Sequence, residues 1–192
     1  MFSLKRYFRD AVFATVVLGA AWMAILHVPA ISLAADKLDQ NDQVADGQPA
    51  DNSKSVVHLY FSDRENSFLS AEQRTLLHTG DVVEFSKAII EVLIQGPREG
   101  LMRTIPSATT LHSLYVTQDG TAYVDLAATI KDAHPGGAHS EQMTIFSIVN
   151  SLILNVPEID AVKILIDGSE SMTLAGHIDL RFPFRANMLL IR

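Results

Sequence analysis

The sequence predicts an α+β two-layer sandwich, with two helices packed on one face of a mixed β-sheet. Three observations predict it. Thr121 to Leu126 alternates, with Ala122, Val124 and Leu126 on one side and Thr121, Tyr123 and Asp125 on the other. That period of two is a half-buried strand. From Glu141 to Leu154 the period becomes helical. Thr144, Ser147, Ser151 and Asn155 form a narrow polar stripe, and Met143, Ile145, Phe146, Ile148, Val149, Leu152 and Ile153 cover most of the rest. Pro157 closes that helix, and Val162, Ile164 and Ile166 begin a new strand ending at Asp167-Gly168. A helix this apolar needs a sheet over it, and the flanking strands are the nearest cover.

The chain opens on Lys5, Arg6 and Arg9, followed by an almost wholly apolar run from Ala11 through Trp22 to Leu26. Residues 1–35 read as a signal peptide, with Ser32 and Ala34 at the cleavage site, or as an uncleaved membrane anchor. On both readings the basic end stays in the cytoplasm and the remainder is exported. Residues 36–55 are rich in Asp, Asn, Gln and Ser and lack the apolar groups to build a core, so they read as a flexible tether.

The folded part is expected over residues 56–182. Val56 to Phe61 is a β-branched and aromatic strand with Val57, Leu59 and Phe61 on one face. Residues 62–80 are polar, with a short extended piece at Thr75 to His78. Asp81 to Gln95 is a helix. Asp81 and Glu84 have capping-box spacing, Lys87 and Glu91 can pair, and Val82, Phe85, Ile89, Val92 and Leu93 face the core. Gly96-Pro97 ends it. Thr110 to Val116 is a strand that turns at Asp119-Gly120 into the Thr121 strand. Pro135-Gly136-Gly137 makes a tight turn before the second helix. Met172 to Leu174 is expected as a short returning strand, and residues 183–192 have no assignment.

Composition narrows the chemistry. Apolar residues make up 48% of the 192, enough for a core. The absence of cysteine removes disulfides, thiolate nucleophiles, Cys-based zinc sites and a lipid-bearing N-terminal Cys. The formal charge is −7; without Lys5, Arg6, Arg9 and Asp10 there remain 12 basic and 21 acidic residues, a balance of −9. That acidity argues against binding nucleic acid or anionic lipid surfaces.

The series Gly96-Pro97-Arg98-Glu99-Gly100-Leu101, Ile105-Pro106, Val124-Asp125-Leu126, Pro135-Gly136-Gly137 with Glu141, Val149-Asn150-Ser151-Leu152, Asp167-Gly168 and Leu174-Ala175-Gly176-His177 resembles the sporulation and spore germination domain called GerMN. Their order and spacing across the domain carry the resemblance. It implies an exported cell-envelope module, tethered at the outer face of a bacterial inner membrane, with a fold similar to ring-building modules. It implies binding or assembly in sporulation, germination or peptidoglycan-associated work. The implied partners are envelope proteins, a second copy, peptidoglycan, and the inner membrane through an uncleaved N-terminal segment. It transfers no catalytic residue. Two departures stand out: Ala138 occupies the family's usual Ser position, leaving Ser140 to cap one turn later, and a single domain is present where some members have two.

His134, His139 and His177 with Asp132 and Asp179 have the residue types of a metal or acid/base cluster, and His177 and Asp179 share one side of an extended segment. Solvated loop positions and a satisfied structural His are the plainer reading. Gly136-Gly137 before a helix suits an anion, but no P-loop Lys-Ser/Thr follows, and the turn itself needs the glycines. Asp125 and Asp167 at strand ends have the look of a carboxylate pair, more often a turn-capping one. Ser113, Ser140, Ser147 and Ser151 form no nucleophile elbow. The expectation is a non-enzyme without catalytic, cofactor-binding or metal residues. The alternative is a cell-wall hydrolase or metal-dependent accessory using His177, Asp179 and His139.

Overall fold

The structure is a computed structural model that describes residues 53–192. The leader (1–35) and most of the tether (36–52) lie outside the described residues. The α+β class is as the sequence predicts. The elements are β1 (Ser53–Ser62), β2 (Leu69–His78), α1 (Val82–Gln95), β3 (Leu111–Val116), β4 (Thr121–Leu126), a short α2 (Thr129–Asp132), α3 (Ala138–Ile153) and β5 (Ala161–Ile166).

The strands divide between two sheets. β3, β4 and β5 form a mixed sheet in that order, β3–β4 antiparallel and β4–β5 parallel. β1 does not join it. It pairs antiparallel with β2 over its full length, in register from Ser53–His78 to Ser62–Leu69. Both long helices touch both sheets, with α3 against β1 and β5, and α1 against β3 and the β1–β2 ribbon. One apolar core therefore runs from Val57, Leu59 and Phe61 through the helices to Val124, Val162 and Ile164.

β2 is ten residues long where only Thr75 to His78 was expected to be extended. Its inner face explains why it was hidden. Glu72 and Arg74 occupy the positions where an apolar pattern would place core residues, and both are buried. Arg74 Nε donates to Glu72 Oε1 at 2.7 Å, so the pair satisfies itself inside the ribbon.

The polar stripe of α3 does not face water. The β1–β2 ribbon lies over it: Thr144, Ser147 and Ser151 are buried and Asn155 is half-buried. Unpaired backbone groups on the outer edge of β1 take this stripe in place of a neighbouring strand. Asn155 Oδ1 accepts from the His58 amide and its Nδ2 donates to the His58 carbonyl, both at 2.8 Å. Ser151 Oγ accepts from the Tyr60 amide at 3.0 Å, and Ser147 Oγ donates to the Tyr60 carbonyl at 2.6 Å. Ser62 completes the edge by exchanging two backbone bonds with Met102.

The helix ends depart from the sequence reading in detail. Asp81 caps α1, accepting from Val83 and Glu84 amides at 2.8 and 3.0 Å. Lys87 pairs with Glu84 at 2.7 Å and not with Glu91. At the other end the Arg103 guanidinium caps the Ile94 and Gln95 carbonyls, a cation at the negative end of the helix. α3 begins at Ala138 after Gly137 and has no side-chain cap; Ser140 lies inside its first turn. The C-terminal residues are placed. Phe184 exchanges two backbone bonds with Val162 on the β5 edge, Met188–Leu190 form a 3-10 turn, and Ile191 bridges Leu69. Met172 to Leu174 contributes one bridge, Thr173 to Asp179, and no strand.

Candidate interaction surface

Most side chains with catalytic potential are engaged in structural bonds, Asp132 excepted. Glu141, in the first turn of α3, is fully buried. Its Oε1 accepts from the amides of Leu174 and Ala175, and Oε2 from that of His177, all at 2.9 Å. Burial alone would raise its pKa. The amides of Ala175, His177, Ile178 and Leu174 together outweigh burial and hold it below the usual carboxylate value. Glu141, which lacks a capping partner at Ala138, therefore ties α3 to the 174–177 loop. The spacing of Glu141 to the turn glycines was visible in the sequence; its partners, some 33 residues on, were not.

The three histidines do not converge. His177 Nδ1 lies 3.2 Å from Glu141 Oε2. His134 Nε2 meets Thr144 Oγ1 at 3.0 Å, and burial depresses its pKa, partly offset by Glu141. His139 bonds the Asn66 carbonyl. Asp179 pairs with Arg181 through two oxygens, at 3.0 and 2.8 Å, and that pairing lowers its pKa to about 2. Asp132 is exposed. Among the described residues no three His, Asp or Glu side chains come together as metal ligands.

Asp125 and Asp167 do come near each other, at the carboxyl ends of the parallel strands. His112 Nδ1 lies 3.9 Å from Asp125 Oδ2 and 3.6 Å from Asp167 Oδ1. Yet each carboxylate also accepts a backbone amide. Asp125 takes that of Gly168 at 2.7 Å, and Asp167 that of Ala128 at 3.0 Å, so the pair fixes the two turns. Gly136 and Gly137 adopt φ values of +80° and +87°, which the turn requires. Beside them, a cleft of about 380 Å³ is lined by Asn66, Arg103, Pro106, Pro135 and Thr144. The Arg103 guanidinium in its wall is already committed to α1.

The Glu72 tie has no signature in the sequence. Glu72 Oε2 accepts from the Arg98 and Glu99 amides at 2.9 and 3.2 Å, while Arg74 donates to the Gly96 carbonyl at 3.2 Å. The Gly96-Pro97-Arg98-Glu99 series is thus held by a buried ion pair on β2.

Exposed apolar and aromatic groups remain. On the face of the three-stranded sheet away from the helices, Tyr115 and Tyr123 stack with centroids 4.9 Å apart and planes 8° from parallel. Tyr123 is paired in register with Lys163, which reaches the Arg181 carbonyl, next to Phe182, 67% exposed.

The family model described as "Germane: Sporulation and spore germination" matches residues 58–171. The chain is a member of the Germane family. Two solved structures from Bacillus subtilis are similar. The first GerMN domain of the sporulation protein GerM is 23% identical, with a TM-score of 0.57 over 70% of this chain and 98% of that one. The tandem GerMN domains of GerM are 22% identical, with a TM-score of 0.51 over 71% of this chain and 46% of that one. These likenesses show the fold. The Germane chain here spans about half of the tandem protein. No curated protein matches it.

Proposed function

We propose that this Germane chain is a non-catalytic module of the cell envelope. Its N-terminal segment directs export, and residues 53–192 act outside the cytoplasm by contacting an envelope component in sporulation or germination. The observation that carries this reading is the use of the buried and clustered polar groups. Glu141, Glu72, Asp125 and Asp167 each accept backbone amides that hold a turn or loop in place. A general base or metal ligand needs a free lone pair aimed at a substrate. In contrast, Tyr115, stacked on half-buried Tyr123, and Phe182 are presented to solvent. Membership in a family described by sporulation and spore germination supports the biological setting. Among the described residues no helix is long and apolar enough to cross a membrane.

The test is protease treatment of spheroplasts carrying the full chain. Digestion of the domain while a cytoplasmic marker stays intact is expected; protection equal to that marker overturns the export reading. Purified sacculi incubated with the chain test catalysis. Release of soluble fragments that is lost in both His177→Ala and Asp179→Ala would replace the module with a hydrolase.

A further inference from the structure

The β1–β2 ribbon closes its two margins unevenly, and the far margin of β2 stands open. The Asp63 amide donates to the Phe68 carbonyl, and the His58 and Tyr60 backbones turn outward to α3. Antiparallel alternation then directs the backbone groups of Ala71, Gln73, Thr75 and Leu77 away from β1, on the far edge of β2. Among the described residues none of these amides or carbonyls meets a partner in another element. On the opposite edge the short side chains of Ser147 and Ser151 on α3, and of Asn155 just beyond its end, close β1. Here the facing stripe belongs to α1, whose Glu84, Lys87 and Glu91 are long, and Lys87 is paired with Glu84. They leave a groove in place of a seal.

That groove has two consecutive parts. One, of about 550 Å³, runs beside Ala71 and Gln73 and is walled by Arg98, Glu99 and Leu101. The next, of about 430 Å³, runs beside Thr75 and Leu77 and is walled by Lys87 and Glu91 of α1. The chain itself shows what this edge accepts. Immediately before the open stretch, Ile191 lies parallel beside Leu69, and the Arg192 amide donates to the Leu69 carbonyl at 3.0 Å.

The geometry points to the β2 edge from Ala71 to Leu77 as a binding site for one extended peptide segment of another protein, added as a third strand of the ribbon. Main-chain bonding supplies the affinity in such strand addition, and alternate side chains supply the selectivity. On the outer face an added strand meets exposed Ala71, Gln73, Thr75 and Leu77, with Gln73 beside His58, and exposed Leu77 and Val56 give an apolar side chain a place at the Leu77 end. On the inner face it meets Lys87, Glu91 and Arg98, which suit charged or amide side chains. The occupant is therefore an extended segment with apolar and polar residues in alternation. The α1 wall admits one strand more readily than a second copy's ribbon with its own helix. This site names how the proposed envelope module holds a protein partner; it rests on that reading for the partner's compartment alone.

The experiment pans phage-displayed linear heptapeptides against the full chain in detergent, then titrates an enriched synthetic peptide. Enriched peptides are expected to alternate in polarity and to slow hydrogen exchange at the Ala71, Gln73 and Thr75 amides. Gln73→Pro removes one outward donor without taking a ladder bond from β1, a place where strands tolerate proline. It is expected to weaken binding by about tenfold or more. Lys87→Trp, a surface change that fills the groove, does the same if the proline variant unfolds. Three results overturn the site. They are no enrichment over the empty support, enriched peptides whose binding neither variant changes, and a dimer by light scattering that Gln73→Pro dissociates. Spheroplast protection with intact peptide binding would instead remove only the compartment.

Discussion

Replacing Glu141 by Gln changes one charge and almost no volume, so it isolates what the carboxylate does. The wild-type side chain serves three amides, two on Oε1 and one on Oε2, with His177 Nδ1 beside it. A glutamine has one acceptor oxygen and one donor nitrogen. Its nitrogen must face either the Leu174 and Ala175 amides or that of His177. At least one buried N–H is left unsatisfied, at about 1–3 kcal/mol, and the remaining bonds lose their charge assistance. The expected loss is about 2–4 kcal/mol. Urea unfolding of residues 53–192, followed by far-ultraviolet circular dichroism at pH 7, measures it. The pH dependence supplies a second readout. The folded pKa of Glu141 lies below its unfolded value. Its contribution is present above the ordinary carboxylate pKa and is lost as pH falls through the depressed folded value. The gap between wild type and variant must therefore narrow on acidification. A loss under about 1 kcal/mol at pH 7, or a gap that does not change with pH, refutes this account of the carboxylate.

Asn155→Ala frees both backbone groups of His58 at a half-buried edge; a loss of about 1–3 kcal/mol is expected, with faster hydrogen exchange at the His58 and Tyr60 amides. Glu72→Ala leaves Arg74 buried without its carboxylate and is expected to cost about 3–5 kcal/mol by urea unfolding, whereas Glu84→Ala, on the exposed face of α1, costs under about 1 kcal/mol. The Asp179 carboxyl is expected to titrate at about 2 when followed by NMR, and Arg181→Ala to return it toward the ordinary value of about 3.9. An unchanged midpoint in that variant would separate the shift from the ion pair.

Regular elements with an uninterrupted period were legible in the sequence. β4 falls at Thr121–Leu126 as read, and α1 starts at its Asp81 cap. β2 was not, because a strand whose inward positions are Glu72 and Arg74 carries no apolar alternation. The polar stripe of α3 was visible, but its target was not: a short Ser or Asn facing solvent and one facing a backbone edge look alike in one dimension. For the same reason one sheet was expected where there are two. The candidate residues followed a similar rule. Asp125 and Asp167 end neighbouring strands, so pattern alone brought them together. His134, His139 and His177 lie in loops, whose paths depend on distant ties such as Glu141 to the Leu174 amide.

The side chains on α3 and just beyond its end that close β1 also set an order of events in folding. Strands β1 and β2 are adjacent in sequence and can zip together early. The bonds that finish β1 come from Ser147, Ser151 and Asn155, the last of them 97 residues from its partner His58. During synthesis, then, the ribbon forms with both margins bare and waits for most of the domain to be made. Such non-local closure slows folding and lengthens the interval in which a bare strand can pair wrongly. Once α3 docks, one margin is sealed by residues of its own chain, and only the other keeps the hospitality that both had at birth.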